Sequence, residues 1–168
     1  MFERAHALIP AYGGEDSPAA RLAALYRDRH DDVRAAEMLK VVVAADESAY
    51  QANTDLAALL LAQRDTSGAM DAMERAVYIN PFLADLHGAL ASLAAARGDH
   101  VRRVREREAL VALDPVDRAE ALYQLALAHR DAGDLVKAKS AVLRALEDAP
   151  NFGKAQDLLL ALVDGRKP

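Results

Sequence analysis

Apolar and small residues recur along the chain in a long register. Leu followed by Ala occurs at Leu22-Ala23, Leu56-Ala57, Leu90-Ala91 and Leu125-Ala126, at spacings of 34, 34 and 35 residues. Asp31, Asp65, Asp99 and Asp134 keep the same intervals, and Pro81, Pro115 and Pro150 follow at 34 and 35. A period of this length marks a repeat architecture. Each unit reads as two short amphipathic helices, the first carrying the Leu-Ala pair and the second beginning just after the Asp. That Asp can accept a hydrogen bond from an otherwise orphaned backbone N–H, and its charge suits the positive end of the second helix. Gly precedes it directly at Gly98 and Gly133. Small residues follow at Ala35, Ala69 and Ala138, and again at Ala76 and Ala145, where they let helix backbones approach. The Pro stops the second helix, because it cannot continue one without losing a hydrogen bond. Beyond Pro150, Lys154 to Val163 reads as one more first helix, with Leu158, Leu159 and Leu162 inward and Lys154, Gln156 and Asp157 outward. At the other end, Phe2-Glu3-Arg4-Ala5 with Pro10 has the spacing of Met73-Glu74-Arg75-Ala76 with Pro81, so it reads as the second half of a preceding unit. Gly13-Gly14 is then a turn, and Ser17-Pro18 an N-cap and first helical position.

These residues resemble the tetratricopeptide repeat family, a helix-turn-helix of about 34 residues with the signature Leu, small, Gly-Asp, small, small, Pro. Ala119 to Asn151 matches it best and Tyr50 to Leu83 next. Asp16 to Ala49 keeps Leu22, Ala23, Tyr26 and Ala35 but has Val42 and Glu47 in place of the last small residue and the Pro. Ala84 to Leu113 departs furthest: His87 stands where a bulky aromatic is usual, Arg103 where the family has a small residue and Arg107 where it has an aromatic. The resemblance covers residues 16–152. It implies an all-α chain, a right-handed α-α superhelix of helix-turn-helix repeats. The expected division is a partial preceding repeat and turn over 1–15, repeats at 16–49, 50–83, 84–118 and 119–152, and a C-terminal capping helix and tail over 153–168. Ordering one such hairpin costs about 50 kcal/mol at about 1.5 per residue, which requires about 2,000 Å² of apolar burial. A lone hairpin cannot bury so much. Neighbours must therefore share apolar faces, with first helices lining an inner groove and second helices forming most of the outer surface.

Composition agrees with helices: 38 Ala and 24 Leu stand against 3 Phe, 5 Tyr and no Trp, a mixture that favours closely approaching helices over strands. The 168 residues are 52% apolar and 28% charged, enough for a core and unlike a disordered tail. The absence of Cys removes disulfides, thiol nucleophiles and thiolate metal sites. A net charge of −5 gives no overall attraction to nucleic acid or an anionic membrane, and neither is expected as a partner. Glu3, Arg4 and His6 interrupt the apolar stretch that a secretory signal needs. The longest apolar run near the other end, Leu158 to Val163, falls far short of the about 18 residues that cross a bilayer. A cytoplasmic location is expected, unless the chain is a fragment of an exported protein.

No Gly-rich phosphate loop, Gly-x-Ser-x-Gly elbow or His-Glu-x-x-His helix is present, so no catalytic residue, cofactor or metal is expected. Only His6 among the five histidines has a carboxylate, Glu3, at helical contact spacing, too little for a metal site. His87 and His129 fall at helix-packing positions, and His30 and His100 in turns. Arg102, Arg103, Arg105 and Arg107 are interspersed with Glu106 and Glu108 and lack an aromatic for stacking, so this stretch reads as a charged outer helix rather than an RNA patch. Arg103 and Arg107 occupy positions the family buries. Either they pair with acidic neighbours such as Asp134 or Glu120 across the repeat boundary, or their helix tilts outward.

The inner face of the first helices selects Gln51, Thr54, Ala58 and Leu61, then Asp85, Gly88, Ser92 and Ala95, then Glu120, Tyr123, Leu127 and Arg130. This surface is rich in small residues and mildly acidic. Family members that grip the C-terminal carboxylate of chaperone peptides use Lys, Arg and Asn at inner positions. The comparable places here hold Ala20, Ala24, Asp55, Asp85 and Ala89, so that clamp is missing and a peptide of apolar and basic character fits better. The leading expectation is a non-catalytic protein–protein interaction scaffold that binds a peptide or a neighbouring domain in its concave groove. Two alternatives stand beside it. One is a C-terminal accessory repeat region of a larger bacterial enzyme such as a zinc peptidase, prompted by the half-unit start and the Ala-, Arg- and Asp-rich composition. The other is a self-association module, a homodimer through the N-terminal end.

Overall fold

The computed structural model describes residues 2–8, 12, 14 and 16–164. Among them every regular element is an α-helix: α1 (Phe2–Leu8), α2 (Pro18–Asp28), α3 (Asp32–Ala45), α4 (Tyr50–Ala62), α5 (Thr66–Ile79), α6 (Ala84–Ala96), α7 (His100–Ala112), α8 (Arg118–Asp131), α9 (Leu135–Asp148) and α10 (Gly153–Asp164). The chain divides into two compact units, Met1–Phe82 and Leu83–Pro168. In the first, each helix from α1 to α5 packs on the next; in the second, α6 to α10 do the same. The expectations that fall on Met1, Pro10, Gly13 and residues 165–168 lie outside the described residues.

One corner is built four times. The carboxylates of Asp31, Asp65, Asp99 and Asp134 accept the N–H of Arg34, Gly68, Arg102 and Lys137 at 3.2, 2.9, 3.0 and 3.0 Å. The N–H of each Asp donates back to the carbonyl five residues earlier, on Tyr26, Leu60, Ala94 and His129. That closure drives the residue before the Asp into the left-handed region. Its φ is +57° at His30, +62° at Arg64, +70° at Gly98 and +83° at Gly133. The Gly-Asp pair is thus a backbone requirement. Gly meets it without strain in the second unit, whereas His30 and Arg64 hold a Cβ there against its preference. Ser17 caps α2 by accepting the Ala20 N–H at 3.1 Å, with Pro18 in the first turn. Where the first hairpin lacks the terminating Pro, Asp46 accepts both the backbone and hydroxyl protons of Ser48, at 2.9 and 2.7 Å. Those two bonds hold the Asp46 carboxyl below its ordinary range.

In the first unit Leu22, Tyr26 and Ala35 pack with Met38 and Leu59. Val42 is buried where a small residue is usual, and α5 buries Ala69, Met70, Ala72, Met73 and Ala76. The Tyr26 hydroxyl donates to Glu3 at 3.0 Å, so Glu3 ties α1 to α2. In the second unit α8, α9 and α10 share an aliphatic core built around Leu122, Val142 and Leu158. Burying each of these side chains contributes about 1.5–3 kcal/mol. Leu158 and Leu162 of α10 face that core, while Lys154, Gln156 and Asp157 face solvent.

The α6–α7 hairpin differs. His87 and Glu106 are 5% and 2% exposed, and the ring Nδ1 lies 2.6 Å from the carboxylate. Glu106 therefore does not belong to a solvated face as the charge pattern suggested. The expected pairing across the repeat boundary is met, with a different partner for Arg103: it reaches Asp131 at 2.5 Å rather than Asp134, while Glu120 acts on Arg107. Asp134 is engaged by the Lys137 N–H and, at 3.4 Å, by its ammonium. The Nε atoms of Arg103 and Arg107 are buried and have no hydrogen-bond partner among the described residues. Burial, reinforced by the charge of Arg103, lowers the pKa of Arg107, and Glu120 opposes this from α8. Burial alone would raise the Asp131 carboxyl, but Arg130 and Arg103 outweigh it and hold Asp131 below the ordinary range.

Candidate functional site

In the first unit, α2 and α4 flank a cleft of about 330 Å³. Its apolar wall includes Ala20, Ala24 and Ala52, because a helix places such residues one turn apart on one face. Arg27 and Asp55 join across it in a salt bridge, and Gln51 donates to the other oxygen of Asp55 at 2.9 Å. Gln51 is the predicted groove residue that lines this cleft. Thr54 turns its hydroxyl back to the Gln51 carbonyl at 2.9 Å, and Leu61 is 38% exposed beyond it. Two of the positions where a carboxylate clamp would need Lys, Arg or Asn, Ala20 and Ala24, are small walls of this cleft, and a third, Asp55, carries the wrong charge.

In the second unit, Asp85 and Ser92 are exposed on α6, and the Ser92 hydroxyl donates to the Gly88 carbonyl at 2.8 Å. On α8, Glu120 accepts from Gln124 at 2.7 Å and lines a cleft of about 410 Å³ with Pro150 and Phe152. The Tyr123 ring meets Phe152 edge-on, with centroids 5.3 Å apart. Leu127 packs partly into the aliphatic core, and Arg130 is held on Asp131 by two bonds of 2.9 and 2.8 Å. Glu120 and the Tyr123–Phe152 pair thus come together, while Leu127 and Arg130 are occupied by structural contacts. The pattern of inner positions missed Arg27 and Phe152. The helical spacing from Ala20 through Ala24 to Arg27 would have found the first; Phe152 follows the helix-stopping Pro150 in a loop and leaves no periodic signal. Among the described residues no three His, Asp or Glu side chains gather as metal ligands, and no helix is long and apolar enough to cross a membrane.

No family model matches the chain, and no curated protein does. Solved structures do. A crystal structure of MamA aligns at 22% identity with a TM-score of 0.56, over 91% of this chain and 87% of that one. A tetratricopeptide repeat protein from Parabacteroides merdae aligns at 19% identity and 0.59, over 88% and 59%. The first tetratricopeptide domain of Spaghetti (RPAP3), bound to the HSP90 peptide SRMEEVD, aligns at 19% and 0.53, over 71% and 94%. The chain has the tetratricopeptide-repeat fold. In the terms of that fold α2, α4, α6 and α8 are first helices and α3, α5, α7 and α9 are second helices. Both clefts described above are lined in part by first helices, α2 and α4 in one unit and α8 in the other.

Proposed function

We propose that this tetratricopeptide-repeat chain is a non-catalytic scaffold whose first-helix faces hold a peptide or a neighbouring domain of apolar and basic character. The observation that carries the reading is the cleft between α2 and α4: small walls, an exposed Gln51, and a carboxylate, Asp55, where a clamp for peptide carboxylates would need a cation or an amide; its salt bridge to the half-exposed Arg27 is one that an incoming cation can exchange. The RPAP3 neighbour, with its bound HSP90 peptide, supports peptide binding by the fold and contrasts in the charge of the ligand. In the second unit Asp85, Glu120 and Tyr123 offer the same chemistry: carboxylates for a Lys or Arg, and an aromatic edge for its aliphatic stem.

The test is a pull-down with the full chain and with Asp55→Lys, Asp85→Lys and Tyr123→Ala, followed by titration of the captured partner. Each variant is expected to weaken capture, the charge reversals by about tenfold or more. Retention of every partner by all three variants contradicts the reading. Self-association through the N-terminal end is a second reading, favoured by Phe2 and Leu8 on α1, which are 43% and 81% exposed. Light scattering separates the two: a mass of twice 18.1 kDa supports it, and 18.1 kDa at high concentration rejects it.

A further inference from the structure

We infer that the second unit carries another docking surface, on the side of its second helices, which takes an acidic segment of a partner protein. The place is a cleft of about 450 Å³ between α7 and α9, with α8 at its base. Val111, Leu125 and Ala141 make it partly aliphatic. Its charged walls are Arg118, Lys137 and Arg144, against the single carboxylate of Glu108. Three cations to one carboxylate line the cleft in a chain whose net charge is −5, with Asp134 and Asp148 standing just outside the lining beside two of the cations.

Those cations are available. Arg118 contacts Asp148 at 3.1 Å and Lys137 contacts Asp134 at 3.4 Å, but both pairs are open to water. Exposed pairs are screened and weak, so an incoming carboxylate can recruit either cation. Arg144 is exposed and makes no ion pair among the described residues. The cleft also has a buried polar wall. The side chain of His129 is only 6% exposed, its Nε2 lies 3.8 Å from Glu108, and no hydrogen bond engages the ring among the described residues. A Glu side chain answers each feature: its carboxylate suits His129, Lys137 and Arg144, and its methylenes suit Leu125. A nucleic-acid phosphate would meet the charges but find no open ring face for its bases, since no Phe, Tyr or Trp lines the cleft and the His129 ring is only 6% exposed. The surface lies on other helix faces and prefers the opposite charge from the one proposed above, so the two fail independently.

Fluorescence anisotropy of the full chain with a labelled peptide of Glu-Glu-Leu repeats at low salt tests the inference. Saturable binding is expected, weakened as salt is raised. It should fall at least about tenfold in the double variant Lys137→Glu with Arg144→Glu, and be unaffected by Asp85→Lys and Tyr123→Ala. Lys137 and Arg144 are exposed, so an unchanged circular-dichroism melt marks the double variant as folded. Ser140→Glu, which sets a carboxylate in the same cleft, is the second variant and should lose binding likewise. Absence of saturable binding, undiminished affinity in both cleft variants, or equal displacement of the peptide by a single-stranded oligonucleotide overturns the inference.

Discussion

The α6–α7 and α8–α9 hairpins follow the same backbone plan with opposite interiors. Where α8 carries Leu122, fully buried, α6 carries His87; where α9 carries Ala138, Ala141 and Val142, α7 carries Arg103, Glu106 and Arg107. The caps, the left-handed corner residue and the 35-residue register persist through all of these exchanges. Corner chemistry therefore sets the hairpin, and the interior decides how firmly it is held. Aliphatic burial stabilises outright. A buried polar pair such as His87 and Glu106 gains little over a well-packed apolar replacement, yet is costly to break from one side.

The largest expected effect is on the aliphatic side: Leu122→Ala should lower unfolding free energy by about 4 kcal/mol in urea denaturation. On the polar side Glu106→Ala should cost about 3 kcal/mol, and the double replacement His87→Leu with Glu106→Leu should recover most of it. A double variant as unstable as the single one would mean that the pair does more than satisfy its own burial. Arg107→Met, which restores the side-chain type of Met73 at the equivalent position, removes a buried donor without a partner and should stabilise by about 1 kcal/mol.

The corner supplies a finer comparison. His30→Gly and Arg64→Gly should each stabilise by about 0.5–1 kcal/mol, because relief of the left-handed Cβ exceeds the entropy of Gly. Gly98→Ala and Gly133→Ala should destabilise, read from thermal midpoints. The smallest effect is on pH. The carboxyls of Asp31 and Asp134 are held low by the N–H groups of Arg34 and Lys137, and that of Asp131 by Arg130 and Arg103 against its burial. Folding thus binds fewer protons than the unfolded chain at these sites. Their contribution is fully present above the ordinary carboxyl range near pH 4 and is lost as pH falls through the lower folded values. Urea midpoints should decline from pH 6 to pH 3, and less steeply in Asp131→Asn.

Much of the fold was legible because the repeat writes one requirement several times. Leu-Ala pairs fix the packing face, Asp fixes the cap, and Pro fixes the stop. The left-handed corner was half legible, since only Gly98 and Gly133 announce it and His30 and Arg64 hide it. The polar interior of α6–α7 was read in part, through His87, Arg103 and Arg107 at packing positions; Glu106 was missed, because it stands among four arginines in sequence and helix periodicity alone does not show which face is covered. Its signal lay in the register: Asn53, His87 and Leu122 share one position, and Ala72, Glu106 and Ala141 share another, so burial in one unit announces burial in the next. The interaction faces were legible only as helix faces. Asp55 has no cationic partner in the pattern of its own helix, but Arg27, a helix away, pairs with it in a salt bridge whose arginine is half exposed.

Hydrogen exchange on the native chain tests the contrast between the two hairpins most directly, because each amide reports the free energy of the opening that exposes it. Amides of α8 and α9 around Leu122 and Val142 should exchange only with the slowest opening in the second unit, and those of α6 and α7 around His87 and Glu106 distinctly faster. Equal protection across both hairpins, or slower exchange in α6–α7, would contradict the account.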